Sequence, residues 1–187
     1  MMAEKKDQPI AYTPVIKIVT VRANQSRAFN RFTSEMAGWW PLASHSTAGG
    51  NAETVVMENR VGGRIVERIR GGGEAVWGTI TAWDPPRRVT FTWHPGDPPE
   101  KATNVDVRFV AIDAARTRVE LEHVGFERLG AMAKKARRGY PIGWAYVLGL
   151  YAERKGPFML AIAGLTSALM WFTRRRAAAL AVREDLT

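Results

Sequence analysis

Apolar positions change their period several times along the chain, and each change marks an element. Between Tyr12 and Arg22, Val15, Ile16, Ile18, Val19 and Val21 supply β-branched bulk, which predicts a first strand. Asn24 or Ser26 then offers a side-chain oxygen to the free amides of a helical first turn. Phe29, Phe32 and Met36 follow at helical spacing and give that helix one apolar face. Gly38 suits its end, and Trp39-Trp40-Pro41 leaves it sharply.

After a stretch without periodicity, Ala43 to Ala52, the pattern switches to alternation. Thr54 to Arg60 and Arg64 to Arg70 predict a hairpin about Val61-Gly62-Gly63, and Gly71 to Gly73 makes the next turn. Glu74 to Asp84 is a further strand, closed by Pro85-Pro86, which has no ladder donor to give. Val89, Phe91 and Trp93 then share one face against Thr90 and Thr92. Val105, Val107 and Phe109 oppose Asp106 and Arg108, and Val119, Leu121 and His123 oppose Glu120 and Glu122. Alternation of this kind describes sequential antiparallel strands with one wet face and one buried face. Pro141 suits the first turn of a closing helix, along which Trp144, Val147, Leu148 and Tyr151 line one side. That helix is the natural cover for the apolar face of the sheet. The expected organisation is a disordered lead-in over 1–11, one domain over 12–156, and an apolar, then basic, helical tail over 157–187.

Composition narrows the function classes. With no cysteine, disulfide frameworks, thiolate zinc sites and cysteine nucleophiles are excluded. Met1 to Pro9 has no apolar core, so it does not read as a signal peptide, and a cytoplasmic location is expected. The net charge of +9 invites a nucleic-acid reading. The basic residues are dispersed, however, and no zinc-finger spacing, basic zipper or RNP-type aromatic pattern accompanies them; a solvated basic surface is the expectation.

Trp39-Trp40-Pro41, Glu58 with Val61-Gly62-Gly63-Arg64, Glu67-Arg68, Trp77-Gly78, Trp83-Asp84-Pro85-Pro86, Phe91-Thr92-Trp93, Glu120-Leu121-Glu122-His123 and Gly143-Trp144 occur in this order. The series resembles the SRPBCC (START-like) superfamily, in the bacterial branch named after activators of the heat-shock-protein-90 ATPase. It runs from about Ile16 to Lys155. The resemblance implies an α+β helix-grip fold (START-like, Bet v-like), a curved antiparallel β-sheet wrapped around a C-terminal α-helix with a cavity between them. Relatives in the wider superfamily bind lipids, hormones or polyketides, and a minority catalyse reactions on such ligands. Fold alone does not assign a function.

The seven tryptophans stand out. Trp39, Trp40, Trp77, Trp93 and Trp144 are candidate cavity walls, joined by Phe91, Phe109 and Leu148; plain core packing is the alternative role. Glu67 and His123 are the polar candidates. His123 continues the buried face set by Val119 and Leu121, and Glu67 shares a face with Ile65 and Ile69. A carboxylate and an imidazole inside an apolar cavity could anchor a ligand or exchange a proton; the competing reading, which we favour, is a hydrogen-bonded structural pair. His45 and His94 fall in loops, and the histidine spacing makes no metal site. No cofactor is expected.

The tail reads differently. Phe158 to Phe172 is almost wholly apolar and runs into Arg174-Arg175-Arg176. At about 1.5 Å per residue, such a helix falls short of the roughly 30 Å hydrocarbon core of a bilayer. Docking on its own domain or in a homodimer ranks first, and membrane-surface contact of residues 157–176 second. The leading expectation is a binding module for a small apolar molecule without an evident catalytic centre. The alternatives are a cyclase- or hydrolase-like enzyme on an aromatic or polyketide-like substrate, and a co-chaperone-like protein-interaction module.

Overall fold

A computed structural model describes residues 12–153 of the chain. The expectations for the lead-in and for the tail fall outside the described residues. Seven strands form one antiparallel sheet: β1 (Val15–Val21), β2 (Ala52–Met57), β3 (Arg64–Ile69), β4 (Glu74–Asp84), β5 (Arg88–Trp93), β6 (Thr103–Asp113) and β7 (Arg116–Val124). Their order across the sheet is β1-β7-β6-β5-β4-β3-β2. Consecutive strands from β2 to β7 pair as hairpins, while β1 joins at the far edge beside β7. The α+β helix-grip expectation is met: the sheet curls around the C-terminal helix α2 (Ala133–Tyr151).

Alternation predicts the buried face well. Val89, Phe91 and Trp93 are buried on β5, Val105, Val107 and Phe109 on β6, and Val119, Leu121 and His123 on β7. Two irregularities help the sheet bend. Registers shift between Ile65 and Val66 on β3 and between Ile80 and Ala82 on β4. Such bulges kink a strand and increase its twist. Between them lies Gly78, where a Cβ would stand 1.8 Å from the carbonyl oxygen of Thr92. Only glycine allows β4 and β5 to approach so closely here.

The first helix, α1 (Gln25–Phe32), is capped as expected, with Asn24 accepting from the amide of Arg27 at 2.9 Å. It ends at Phe32, before Met36, which belongs to a separate 3₁₀ turn at Met36–Gly38. Thr33 bonds its hydroxyl back to the Phe29 carbonyl at 2.9 Å, a local alternative to helix continuation.

One boundary is corrected. Helix α2 opens at Ala133, and Pro141 lies inside it. The segment before the proline is rich in Ala, Lys and Arg, all strong helix formers, so it is helical without showing an apolar period. The cost is one intrahelical bond, because Pro141 has no amide for the carbonyl of Arg137. The Arg137 side chain compensates in docking. It donates to the Thr13 carbonyl at 2.5 Å and the Pro14 carbonyl at 3.1 Å, fastening α2 to the start of β1. At its other end, the Tyr151 hydroxyl donates to the Ala28 carbonyl of α1 at 2.8 Å. Among the described residues, no helix is long and apolar enough to cross a membrane.

Candidate functional site

The interior between the sheet and α2 is a cluster of indoles. Trp40 lies at its centre, with ring centroids 5.3 Å from Trp77, 5.6 Å from Trp93 and 6.2 Å from Trp144. Trp77 and Trp93 are brought inward by β4 and β5, Trp144 by α2, and Phe91 packs 5.8 Å from Trp93. Edge-to-face and tilted contacts at these separations suit the quadrupoles of the rings. Of the other predicted wall residues, Trp39 and Phe109 face a second aromatic group beneath α1. Trp39 packs 5.2 Å from both Phe32 and Tyr151, and Phe109 packs 5.2 Å from Phe29. Leu148 is fully buried on α2.

Glu67 and His123 are both completely buried, at opposite ends of the indole cluster, and they do not share a hydrogen bond. The Oε2 of Glu67 accepts from the Thr47 amide at 2.8 Å, the Thr47 hydroxyl at 2.7 Å and the Trp77 indole at 2.9 Å; its Oε1 accepts from the Ala48 amide at 2.9 Å. Four donors therefore converge on one carboxylate. Its role is to tie the connection between α1 and β2 to the sheet. Thr47 and Ala48 belong to the stretch without periodicity, so nothing in the sequence pattern marked them.

His123 is ordered just as fully. Its Nδ1 accepts from the Trp144 indole at 3.1 Å, and its Nε2 lies 2.7 Å from the Thr103 hydroxyl. An indole N–H only donates, so Nδ1 carries no proton and Nε2–H is the donor to Thr103. Thr103 passes its own proton to the Trp93 carbonyl at 2.8 Å. Every donor in this relay has one direction. Burial, with a smaller contribution from Arg137, pushes the His123 imidazole down to about 3. A neutral, Nε2-protonated ring thus joins α2 to β7, β6 and β5.

A partly open pocket of about 180 Å³ adjoins Trp93 at the edge of the cluster. Trp93, His94, Asp97 and Lys101 form one wall; Leu129, Met132, Ala136 and Tyr140 form the other. The Arg128 side chain bridges the two walls by donating to the Ala102 carbonyl at 3.1 Å. Of the predicted wall residues, Trp93 lines this pocket. Sequence reasoning missed Tyr140 and assigned His94 to a loop without a role. His94 is 6% exposed, held by its amide on the Trp77 carbonyl at 2.7 Å and by Nδ1 at 2.9 Å from the Asp97 carbonyl. Tyr140 stacks edge-on against His123 at 4.4 Å, and burial raises its phenol to about 12. Among the described residues, no cluster of three or more His, Asp and Glu is placed to hold a metal ion.

Comparisons with known proteins agree with this architecture. The family described as "Activator of Hsp90 ATPase homolog 1-like protein" matches residues 22–148. The structure of the anthrahydroquino-γ-pyrone synthase Txn09 is 33% identical, covers 78% of this chain and 99% of its own, and superposes with a TM-score of 0.55. CalC, a self-sacrificing resistance protein from Micromonospora echinospora, is 32% identical over 75% of this chain and 92% of its own, with a TM-score of 0.59. CalU16 from the same organism is 20% identical over 86% and 87%, with a TM-score of 0.54, and is a likeness of fold. No curated protein sequence matches significantly. A seven-stranded sheet gripping α2, matched by the family over most of its length, makes this chain a member of the Activator of Hsp90 ATPase homolog 1-like family within the SRPBCC superfamily.

Proposed function

We propose that the protein binds a small apolar molecule between its sheet and α2. The observation that carries this reading is the indole cluster about Trp40 and the pocket that adjoins it at Trp93. Flat apolar walls with a few fixed polar atoms are the usual make-up of a small-molecule site. Native mass spectrometry of the full chain, purified without detergent, tests it, followed by titration with naphthalene read by tryptophan fluorescence. The expected result is a released apolar species or saturable quenching by naphthalene. An empty protein whose fluorescence and thermal midpoint ignore naphthalene would overturn the reading.

A second reading draws on the 33% identity with a synthase: an enzyme acting on an aromatic substrate. On that reading Glu67 and His123 serve as scaffolding, since their hydrogen bonds are already spent within the fold. His94, like Lys101, then lines an open space. Turnover of a candidate aromatic substrate that survives Glu67→Gln but not His94→Phe would support it.

A further inference from the structure

Between Glu127 and Glu153 the chain carries no carboxylate, yet it carries Arg128, Lys134, Lys135, Arg137 and Arg138. Arg128 and Arg137 are spent on backbone carbonyls of the fold. Lys134, Lys135 and Arg138 are exposed, and none of them joins an ion pair among the described residues. Arginines elsewhere on the surface are paired with carboxylates.

Helical geometry gathers the unpaired cations. At 3.6 residues per turn, Lys134, Arg138 and Ile142 stack in one row and Lys135 lies beside it, all within about a third of the circumference of α2. Trp144, Leu148 and Tyr151 turn to the opposite side, into the domain. Ile142 is 42% exposed, and Met132, at the entry to the helix, is 49% exposed. The outer face of α2 is thus basic with aliphatic side chains set into it. An anionic bilayer meets both needs, with headgroups for the cations and the acyl boundary beneath them for the apolar tips. Lysine and arginine can lay their stems along that boundary and keep their charges among the headgroups. A nucleic-acid backbone would match the charge and have no use for Met132 and Ile142.

The place of this face gives docking a consequence. Met132 also lines the pocket beside Trp93, together with Ala136 and Tyr140 of the same helix, while Asp97 and Lys101 balance each other in charge on the facing wall. A bilayer seated on α2 therefore adjoins the pocket, and it is the phase in which apolar molecules dissolve.

We propose that the first half of α2 docks on an anionic lipid surface, with Lys134, Lys135 and Arg138 among the headgroups and Met132 and Ile142 in the boundary below. Docking does not require the ligand-binding reading; it supplies that reading with a source of ligand.

The test is co-sedimentation of the full chain with vesicles of phosphatidylcholine alone and of phosphatidylcholine mixed with phosphatidylserine. The protein is expected to partition onto the mixed vesicles, less so as salt is raised, and to leave the neutral ones bare. Each cation near such a surface contributes about fivefold, so Lys134→Gln, Lys135→Gln and Arg138→Gln together should weaken partition by about tenfold or more. Met132→Ser with Ile142→Ser keeps the charge and should weaken it by about threefold or more. Arg60→Gln, Arg68→Gln and Arg70→Gln remove the same charge around β3 and should bind like the parent. All these positions are exposed, so thermal midpoints should stay with the parent's. Equal binding to both vesicles would overturn the docking. So would parental binding by the α2 charge variant, which would place the contact on another segment, or an equal loss in the β3 variant, which would reduce it to net charge. Parental partition of the apolar variant would overturn it in favour of a polyanion site. The naphthalene titration needs no vesicles, so the ligand-binding reading stands or falls separately.

Discussion

The Trp77 indole donates to the Glu67 carboxylate at 2.9 Å, and both side chains are sealed inside the sheet. The same carboxylate collects Thr47 and Ala48 from a connection that has no regular structure of its own. Glu67 is therefore the point where an irregular segment becomes part of a rigid interior.

Removing it should unfold that relationship. Glu67→Ala strands four donors, and hydrogen bonds to charged acceptors contribute about 1.5–3 kcal/mol each. Because such losses do not add, a fall of at least about 3 kcal/mol in urea-unfolding stability is expected. Glu67→Gln, which turns an amide toward incoming donors, should lose less, about 1–3 kcal/mol. A Glu67→Ala protein as stable as the parent would refute the anchoring role.

His123 makes stability depend on pH. Its folded value is held down at about 3 against an ordinary 6.5, so below pH 6.5 the unfolded chain binds a proton that the folded chain refuses. The contribution is fully present above pH 6.5 and is lost as pH falls toward 3, with a slope of up to about 1.4 kcal/mol per pH unit. Urea unfolding of the parent and of His123→Gln between pH 7 and 5 isolates it, because the carboxylates titrate alike in both. The two profiles should converge as the pH drops; parallel profiles would show that the imidazole is not held neutral.

Gly78 is expected to tolerate no side chain. In Gly78→Ala the new methyl would meet the Thr92 carbonyl at 1.8 Å, so β4 and β5 must separate. Overpacking of this kind costs about 1–3 kcal/mol, and here the obstacle is backbone. A thermal midpoint unchanged by Gly78→Ala would contradict this close approach.

Tyr151→Phe tests the link between the two helices. It removes only the hydroxyl that serves the Ala28 carbonyl, leaving the rings of Phe32 and Trp39 in contact with the remaining phenyl. A loss of about 1–2 kcal/mol is expected from the stranded carbonyl. Amide exchange of α1 should quicken with it; a variant with unaltered exchange would show that α1 does not depend on this bond.

The inward direction of His123 and Glu67 was legible because alternation assigns a side chain to a face. What each would bind was not. Partner choice depends on which strands and connections are brought together, and Thr103, Trp144 and Thr47 lie far from their partners along the chain. His94 shows another limit. It follows Trp93, so a continued strand would turn it to the wet face, but β5 ends at Trp93 and the ring is free to fold back under the next turn. The start of α2 was hidden for the opposite reason: after the buried Ala133, which is too small to mark an apolar period, come the strong helix formers Lys134 and Lys135 at exposed positions.

The indole cluster has an optical consequence. Chromophores whose centroids lie 5.3 to 6.2 Å from Trp40 couple their transition dipoles instead of absorbing and emitting as separate residues. Trp144 belongs to α2 and the other three rings do not, so its share of the coupling exists only while helix and sheet are closed on each other. The near-ultraviolet circular dichroism and emission of this protein are thus a built-in gauge of its grip, set by the distance between Trp144 and its neighbours and needing no added label.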